Sequence, residues 1–149
     1  MTTVALNSTY WSDLGHGIGA IFCYALLGLA LMVVGFYALD LTTPGHLRTL
    51  VGTGKPNAVA LSATGFLSLA AIVVMAIYSS SGKLEEGLIS AAVYGLVAIV
   101  AQVIAVRLIE ALLGIDMDAL LTADSYDVKV LVTAAAHLGL GLVVATAIL

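Results

Sequence analysis

"YALLGLALMVVGFYALDLTTPGHL", residues 24–47, decides how the chain folds. From Tyr24 to Leu39 no residue carries a charge; Asp40 follows, and then a Pro44–Gly45 stop. Extended upstream to Gly17, the apolar run crosses a hydrocarbon core of ~30 Å at ~1.5 Å per helical residue. Alternation of period two is absent, which argues against a β-barrel strand. A segment surrounded by lipid must satisfy its own backbone, and that means helix. The stretch therefore reads as a membrane helix that ends at an acid. The functional question is whether Asp40 is a working carboxylate or only marks where the helix leaves the bilayer.

The rest of the composition agrees. Of 149 residues, 62% are hydrophobic and 9% charged, against about 25% charged in an ordinary soluble domain. Too few polar groups exist to cover a surface in water, so the chain reads as an integral membrane protein. A net charge of −4, with no Lys/Arg cluster, gives nothing to hold nucleic acid or anionic lipid. Cys23 is the only cysteine and, inside an apolar run, reads as a small packed hydrophobe. No Lys or Arg precedes the first run, so the start does not read as a cleavable signal peptide. Asn7-Ser8-Thr9 fits a glycosylation acceptor, a weak pattern by itself.

Four runs are long enough to span: about 17–39, 58–78, 87–109 and 128–149. Gly52, Gly54, Pro56 and Asn57 break the chain before the second, Ser79 to Gly82 before the third, and Asp116, Asp118, Asp124 and Asp127 before the fourth. Arg48, Lys55, Arg107 and Lys129 flank the first and third loops, while the other side has Lys83 alone. The positive-inside rule then puts those loops in the cytoplasm and both termini outside. Tyr10-Trp11 would anchor the outer interface.

Sliding the sequence by seventy residues aligns it with itself: Gly17 on Gly87, Tyr24 on Tyr94, Asp40 on Glu110, Val73-Val74 on Val143-Val144. The expected fold is all-α, four transmembrane helices formed by two parallel-repeated hairpins, related by an axis along the membrane normal. A short outer segment, 1–16, precedes a first repeat at 17–79 and a second at 80–149. Leu47, Leu50 and Val51, matched by Met117, Leu120 and Leu121, predict a short surface helix in each copy.

At residues 24–47, and again at "NAVALSATGFLSLAAIVV" (57–74), the chain resembles the YjfL-like inner-membrane proteins, domain of unknown function 350. The glycine-spaced first helix, the acid with "TPG" at its end, and Asn57 opening an Ala-rich second helix carry the resemblance, over about 22–80. In the second copy Gly114 stands for Pro44 and Asp127 for Asn57. The resemblance implies a small four-helix protein of the bacterial inner membrane, with no established reaction or ligand. It also implies, as a lead on partners, a link of some members to envelope-stress proteins of the phage-shock type.

Polar groups inside the bilayer are the functional candidates, because placing them there is unfavourable. Gln102 and His137 stand at depths ~3 Å apart, so adjacent helices could bring them together. They read either as a proton or ligand site or as an interhelical hydrogen bond. Asp40, Pro44, Gly45, Arg107 and Glu110 form a candidate inner-surface boundary or docking region, with Arg107–Glu110 and Asp40–Lys55 as expected pairs in an interfacial charge belt. Gly28, Gly35, Gly95 and Ala98 are candidate packing positions, within the bundle or toward another subunit. His16, His46 and His137 fall at three different depths, so they cannot share one metal ion. No P-loop, CxxC or nucleophile elbow occurs, and no cofactor is expected. The leading expectation is a non-enzymatic subunit or scaffold in lipid, acting as a homo-oligomer or with other membrane proteins. The alternative is an oligomeric transporter or channel with a polar path near Gln102 and His137.

Overall fold

The breaks in the sequence become helix ends. The computed structural model describes residues 10–80 and 83–149. The helices are α1 Tyr10–Thr42, α2 Leu47–Gly52, α3 Pro56–Ser79, α4 Leu84–Leu113, α5 Met117–Thr122 and α6 Val130–Ala147. Among the described residues no strand forms. Four of them, α1, α3, α4 and α6, are long and apolar enough to cross a membrane. The Asn7 tripeptide and the Ser81–Gly82 part of the outer turn lie outside the described residues.

Three spans, α1, α3 and α4, run further than the apolar runs alone, while α6 is shorter, Val130–Ala147 against the expected 128–149. α1 is already helical at Tyr10 rather than from 17, and Asp13 in its first described turn suits the positive end of the helix dipole. Of the expected outer segment 1–16, residues 10–16 are therefore helical. At its other end Thr42 and Thr43 fold their hydroxyls back onto the carbonyls of Ala38 and Leu39. Gly45 and His46 then turn the chain with φ of 79° and 54°. α4 continues past 109 to Leu113 and stops at Gly114, left-handed at φ 61°. Pro56 opens α3 at its first turn, where a missing N–H does no harm.

The short helices form where expected and pack against the bundle. Leu47 and Leu50 of α2, and Met117, Leu120 and Leu121 of α5, are buried in one cluster with Ala58 and Leu61 of α3 and Val130 of α6. The i, i+3, i+4 pattern that drew attention to both helices faces inward and closes one end of the bundle. Among the spans, α3 and α4 sit centrally, each against the other and against both α1 and α6. Leu31, Leu39, Leu69, Val73 and Ile99 fill the space between α1, α3 and α4. Phe36 and Phe66 stack between α1 and α3 with ring centroids 4.9 Å apart.

Small residues set how closely the spans approach. A Cβ on Gly35 would come within 2.6 Å of a Leu69 methyl, and one on Gly95 within 2.7 Å of a Leu31 methyl. Gly28 faces Val73, and Ala98 is buried beside Ile72 and Ala145. All four candidate packing positions thus meet other helices of their own chain. Sequence reading missed the tightest approach: Gly141 of α6 lies on Ser68, with a Cβ there 2.8 Å from Ser68 Cβ and 3.1 Å from its Cα. Cys23, expected among packed hydrophobes, is exposed on α1 instead.

Candidate functional site

One face of α4 builds the polar core. Its buried residues include Gly87, Ala91, Gly95, Ala98, Gln102, Val106 and Glu110, spaced by three or four. That spacing keeps one stripe turned into the bundle. Two of its members are polar, so Gln102 and Glu110 are carried inward with the small residues.

Gln102 does reach His137, but at the backbone. Its amide Nε2 donates to the His137 carbonyl at 3.1 Å and to the Ser68 hydroxyl. Ser68 Oγ donates to the same carbonyl at 2.9 Å. One residue each from α3, α4 and α6 is therefore clamped at a single point, and Gly141 lets Ser68 come close enough to take part. Held this way, the imidazole points on toward Glu110, where Nε2 lies 3.9 Å from Oε1.

Glu110 departs from expectation. Arg107 Nη1 pairs with its Oε2 at 2.6 Å, three residues along one helix. This is not a solvated charge belt, because the Glu110 side chain is 6% exposed. Arg107 is the link to the surface: 26% of its side chain is exposed, and Nη2 donates to Thr43 Oγ1 at 3.0 Å where α1 ends. Glu110 Oε1, both ring nitrogens of His137, Gln102 Oε1, Arg107 Nε and Ser62 Oγ are buried without a hydrogen-bond partner among the described residues. Each such group carries a penalty of about 1–3 kcal/mol. Ionisable groups inside a membrane bundle are costly to place and are the first place to look for a functional site.

Asp40 plays a different part. It is buried, and its Oδ1 accepts from the Arg48 backbone N–H at 2.7 Å. His46 at the N-cap of α2 makes no side-chain cap bond, so Asp40 caps that helix from the end of α1. The Pro44–Gly45 turn is what folds α2 back within its reach. α5 needs no such help, since its own Asp116 accepts from Ala119 N. The expected Asp40–Lys55 pair does not form. Lys55 instead reaches across to Asp124, with Nζ to Oδ1 at 2.5 Å, and that ties the first loop to the third. The donated hydrogen bond, and then the ammonium charge, hold the Asp124 carboxyl below its usual range.

Asn57, noted in the sequence only as a helix-opening residue, is fully buried and joins the same two loops. Nδ2 donates to the carbonyls of Leu120 at 2.8 Å and Ser125 at 3.1 Å, and Oδ1 accepts from Asp127 N at 2.9 Å. Its helix-initial position in an otherwise apolar span was the available signal.

The opposite end of α1 presents a second feature. Residues 10–19 are exposed, half-buried Ala20 follows, and a Cβ added at Gly15, Gly17 or Gly19 would meet nothing within 4 Å among the described residues. Gly15, Gly19 and Cys23 share one face at i, i+4 spacing and, with Trp11 and Leu84, border a groove of about 400 Å³. The repeated small residues were legible at that spacing.

The chain from residue 13 to 148 matches the family model described as Domain of Unknown Function (DUF350). A "UPF0719 transmembrane protein" of Mycobacterium bovis is 49% identical over 81 residues, covering 54% of this chain and 53% of the relative. A protein of the same description from Mycobacterium tuberculosis matches equally. One from Mycolicibacterium paratuberculosis is 41% identical over 85 residues, 56% of each. The chain thus spans about half the length of the curated relatives it matches. No solved structure matches it. With four membrane-length helices and a family match over nearly its whole length, the chain belongs to the DUF350 family of membrane proteins.

Proposed function

We propose that the chain is a non-enzymatic membrane subunit that works as a homo-oligomer, alone or within a larger membrane complex, joined through the first half of α1. The observation that carries this reading is the bare Gly15–Gly19–Cys23 face, which nothing among the described residues covers. In lipid, helices associate through close packing, and glycines four apart let two backbones approach. The groove beside Leu84 offers room for a second α1. Cys23 supplies the test. Oxidation of native membranes should give a disulfide-linked dimer, since Cα atoms ~4.4–6.8 Å apart can be bridged. Gly15→Leu with Gly19→Leu should abolish it. Wild-type protein that stays monomeric under oxidation sinks the reading.

The duplicated hairpin is part of the same proposal. α2 and α5 occupy 47–52 and 117–122, seventy residues apart at both ends. Asn57 Oδ1 binds Asp127 N, its counterpart at that offset. Tyr24, Gly28, Val73, Val74 and Ile77 line an apolar groove between α1 and α3, and Tyr94, Ala98, Val143, Val144 and Ala147 line one between α4 and α6. The positive-inside rule puts the α2–α5 end, with Arg48, Lys55, Arg107 and Lys129, in the cytoplasm of a bacterial cell and both termini outside the inner membrane.

The second reading is an oligomeric small transporter or channel. Buried Glu110 favours it, because it adds a titratable group to Gln102 and His137. Flux through reconstituted liposomes separates the two: a non-conducting oligomer supports the scaffold, and flux lost in Gln102→Leu supports the transporter.

A further inference from the structure

His137 and Glu110 meet where α6 crosses α4, and each is left with an unanswered atom. Glu110 gives one oxygen, Oε2, to Arg107 at 2.6 Å and turns the other, Oε1, toward the imidazole. Nε2 stands 3.9 Å away, beyond hydrogen-bond length, and neither it, Nδ1 nor Oε1 has a partner among the described residues. The two side chains are 3% and 6% exposed. Burial makes it unfavourable to leave such groups unanswered, and a neutral imidazole always has one bare nitrogen.

We propose that Glu110 and His137 form a proton-binding site in the bundle core. Uptake of one proton makes His137 an imidazolium with both nitrogens protonated, and its Nε2–H donates to Oε1 of the Glu110 carboxylate. Release of that proton restores the open pair; no other bond forms or breaks. The positive charge of Arg107 and the negative charge of Glu110 cancel, so the bound proton is the net charge of the site. Arg107, a quarter exposed and bonded to Thr43, joins the site to the end of α1. This inference is independent of assembly through α1.

The surroundings leave these two groups to each other. From α4 the charged neighbours are Glu110 and Arg107. α3 contributes Ser62, Gly65 and Ser68, none of them titratable, with a Cβ at Gly65 3.8 Å from Nδ1. α5 reaches α6 through Met117, whose sulfur accepts from Thr133, while Asp116 and Asp118 are exposed. On α1, Leu39 packs against Gly65, and Asp40 beyond it has Oδ1 engaged by Arg48 N. Gln102 and Ser68 are positioning residues: by fixing the His137 carbonyl they set the depth of the ring.

The test uses the whole chain in lipid nanodiscs with ¹⁵N-labelled histidine. His16→Gln and His46→Asn, both exposed in the fold, leave His137 as the only histidine. The ring nitrogens should pass reversibly from a neutral to an imidazolium pattern as the pH is lowered. In Glu110→Gln that transition should be lost or displaced by more than about one pH unit. Should Glu110→Gln fail to fold, Glu110→Asp must displace it likewise. Ring signals that stay constant as the pH is lowered in the wild-type site, or that titrate identically without the Glu110 carboxylate, overturn the proposal.

Discussion

Gly141→Ala tests the closest contact in the bundle. A methyl there would lie 2.8 Å from Ser68 Cβ and 3.1 Å from its Cα, atoms that no side-chain rotation can move aside. Reaching ordinary contact requires α3 and α6 to part by about 0.6 Å. Overpacking of this kind costs about 1–3 kcal/mol. Parting also strains the bonds from Ser68 to His137 O and from Gln102 to Ser68, each worth ~0.6 kcal/mol in lipid. Alanine returns ~1 kcal/mol through its better helix propensity, so the net loss is about 1–3 kcal/mol. Gly35→Ala is the control. Its methyl meets only the end of Leu69, which can rotate away, so its net effect is within ~1 kcal/mol of zero. Gly15→Ala touches nothing among the described residues and should stabilise the monomer by up to ~1 kcal/mol. Reversible unfolding of the three variants in mixed micelles, at high detergent-to-protein ratio, reads all three. Gly141→Ala at or above wild-type stability, or milder than Gly35→Ala, would refute the packing of α6 on Ser68.

Three further outcomes follow from the polar contacts. Asn57→Ala leaves the Leu120 and Ser125 carbonyls and the Asp127 amide without their partner, and at ~1–3 kcal/mol each should lower stability by about 3 kcal/mol or more; faster proteolysis within 123–129 is the accompanying sign. Arg107→Met strips Glu110 of its counter-charge and should cost about 3–5 kcal/mol, most of it recovered by adding Glu110→Gln; a double-mutant cycle measures the recovery. Asp124 should titrate below its usual 3.8 and return there in Lys55→Gln, read by carboxyl NMR. Because the folded value is the lower one, the Lys55–Asp124 pair supports the fold above that usual value and fades as pH falls through the folded one. Asp124 is fully exposed, so its share of stability is small.

Composition made the four spans legible, because length and lack of charge leave a lipid-embedded segment one option, helix. The short helices were legible too: Leu47, Leu50 and Val51, with their counterparts seventy residues on, mark both α2 and α5. Pairing across the loops was not. Lys55 is nearer in sequence to Asp40 than to Asp124, yet it is the register of α3 against α5 and α6 that decides which acid it meets. Glu110 was misjudged for a related reason. Its place near a helix end suggests the interface, but depth does not fix direction; helical phase does. Gln102, Val106 and Glu110 recur every four residues on the buried face of α4, so the inward turn of Glu110 was written in the spacing. The bare face of α1 was likewise readable at Gly15 and Gly19, but only the fold shows that nothing among the described residues covers it.

Self-assembly through α1 is tested most directly by native mass spectrometry of the protein released from lipid nanodiscs. Wild-type protein should appear as a dimer or larger closed assembly, and Gly15→Leu with Gly19→Leu should reduce it to monomers that remain folded. A wild-type monomer, or an assembly untouched by both substitutions, would contradict it.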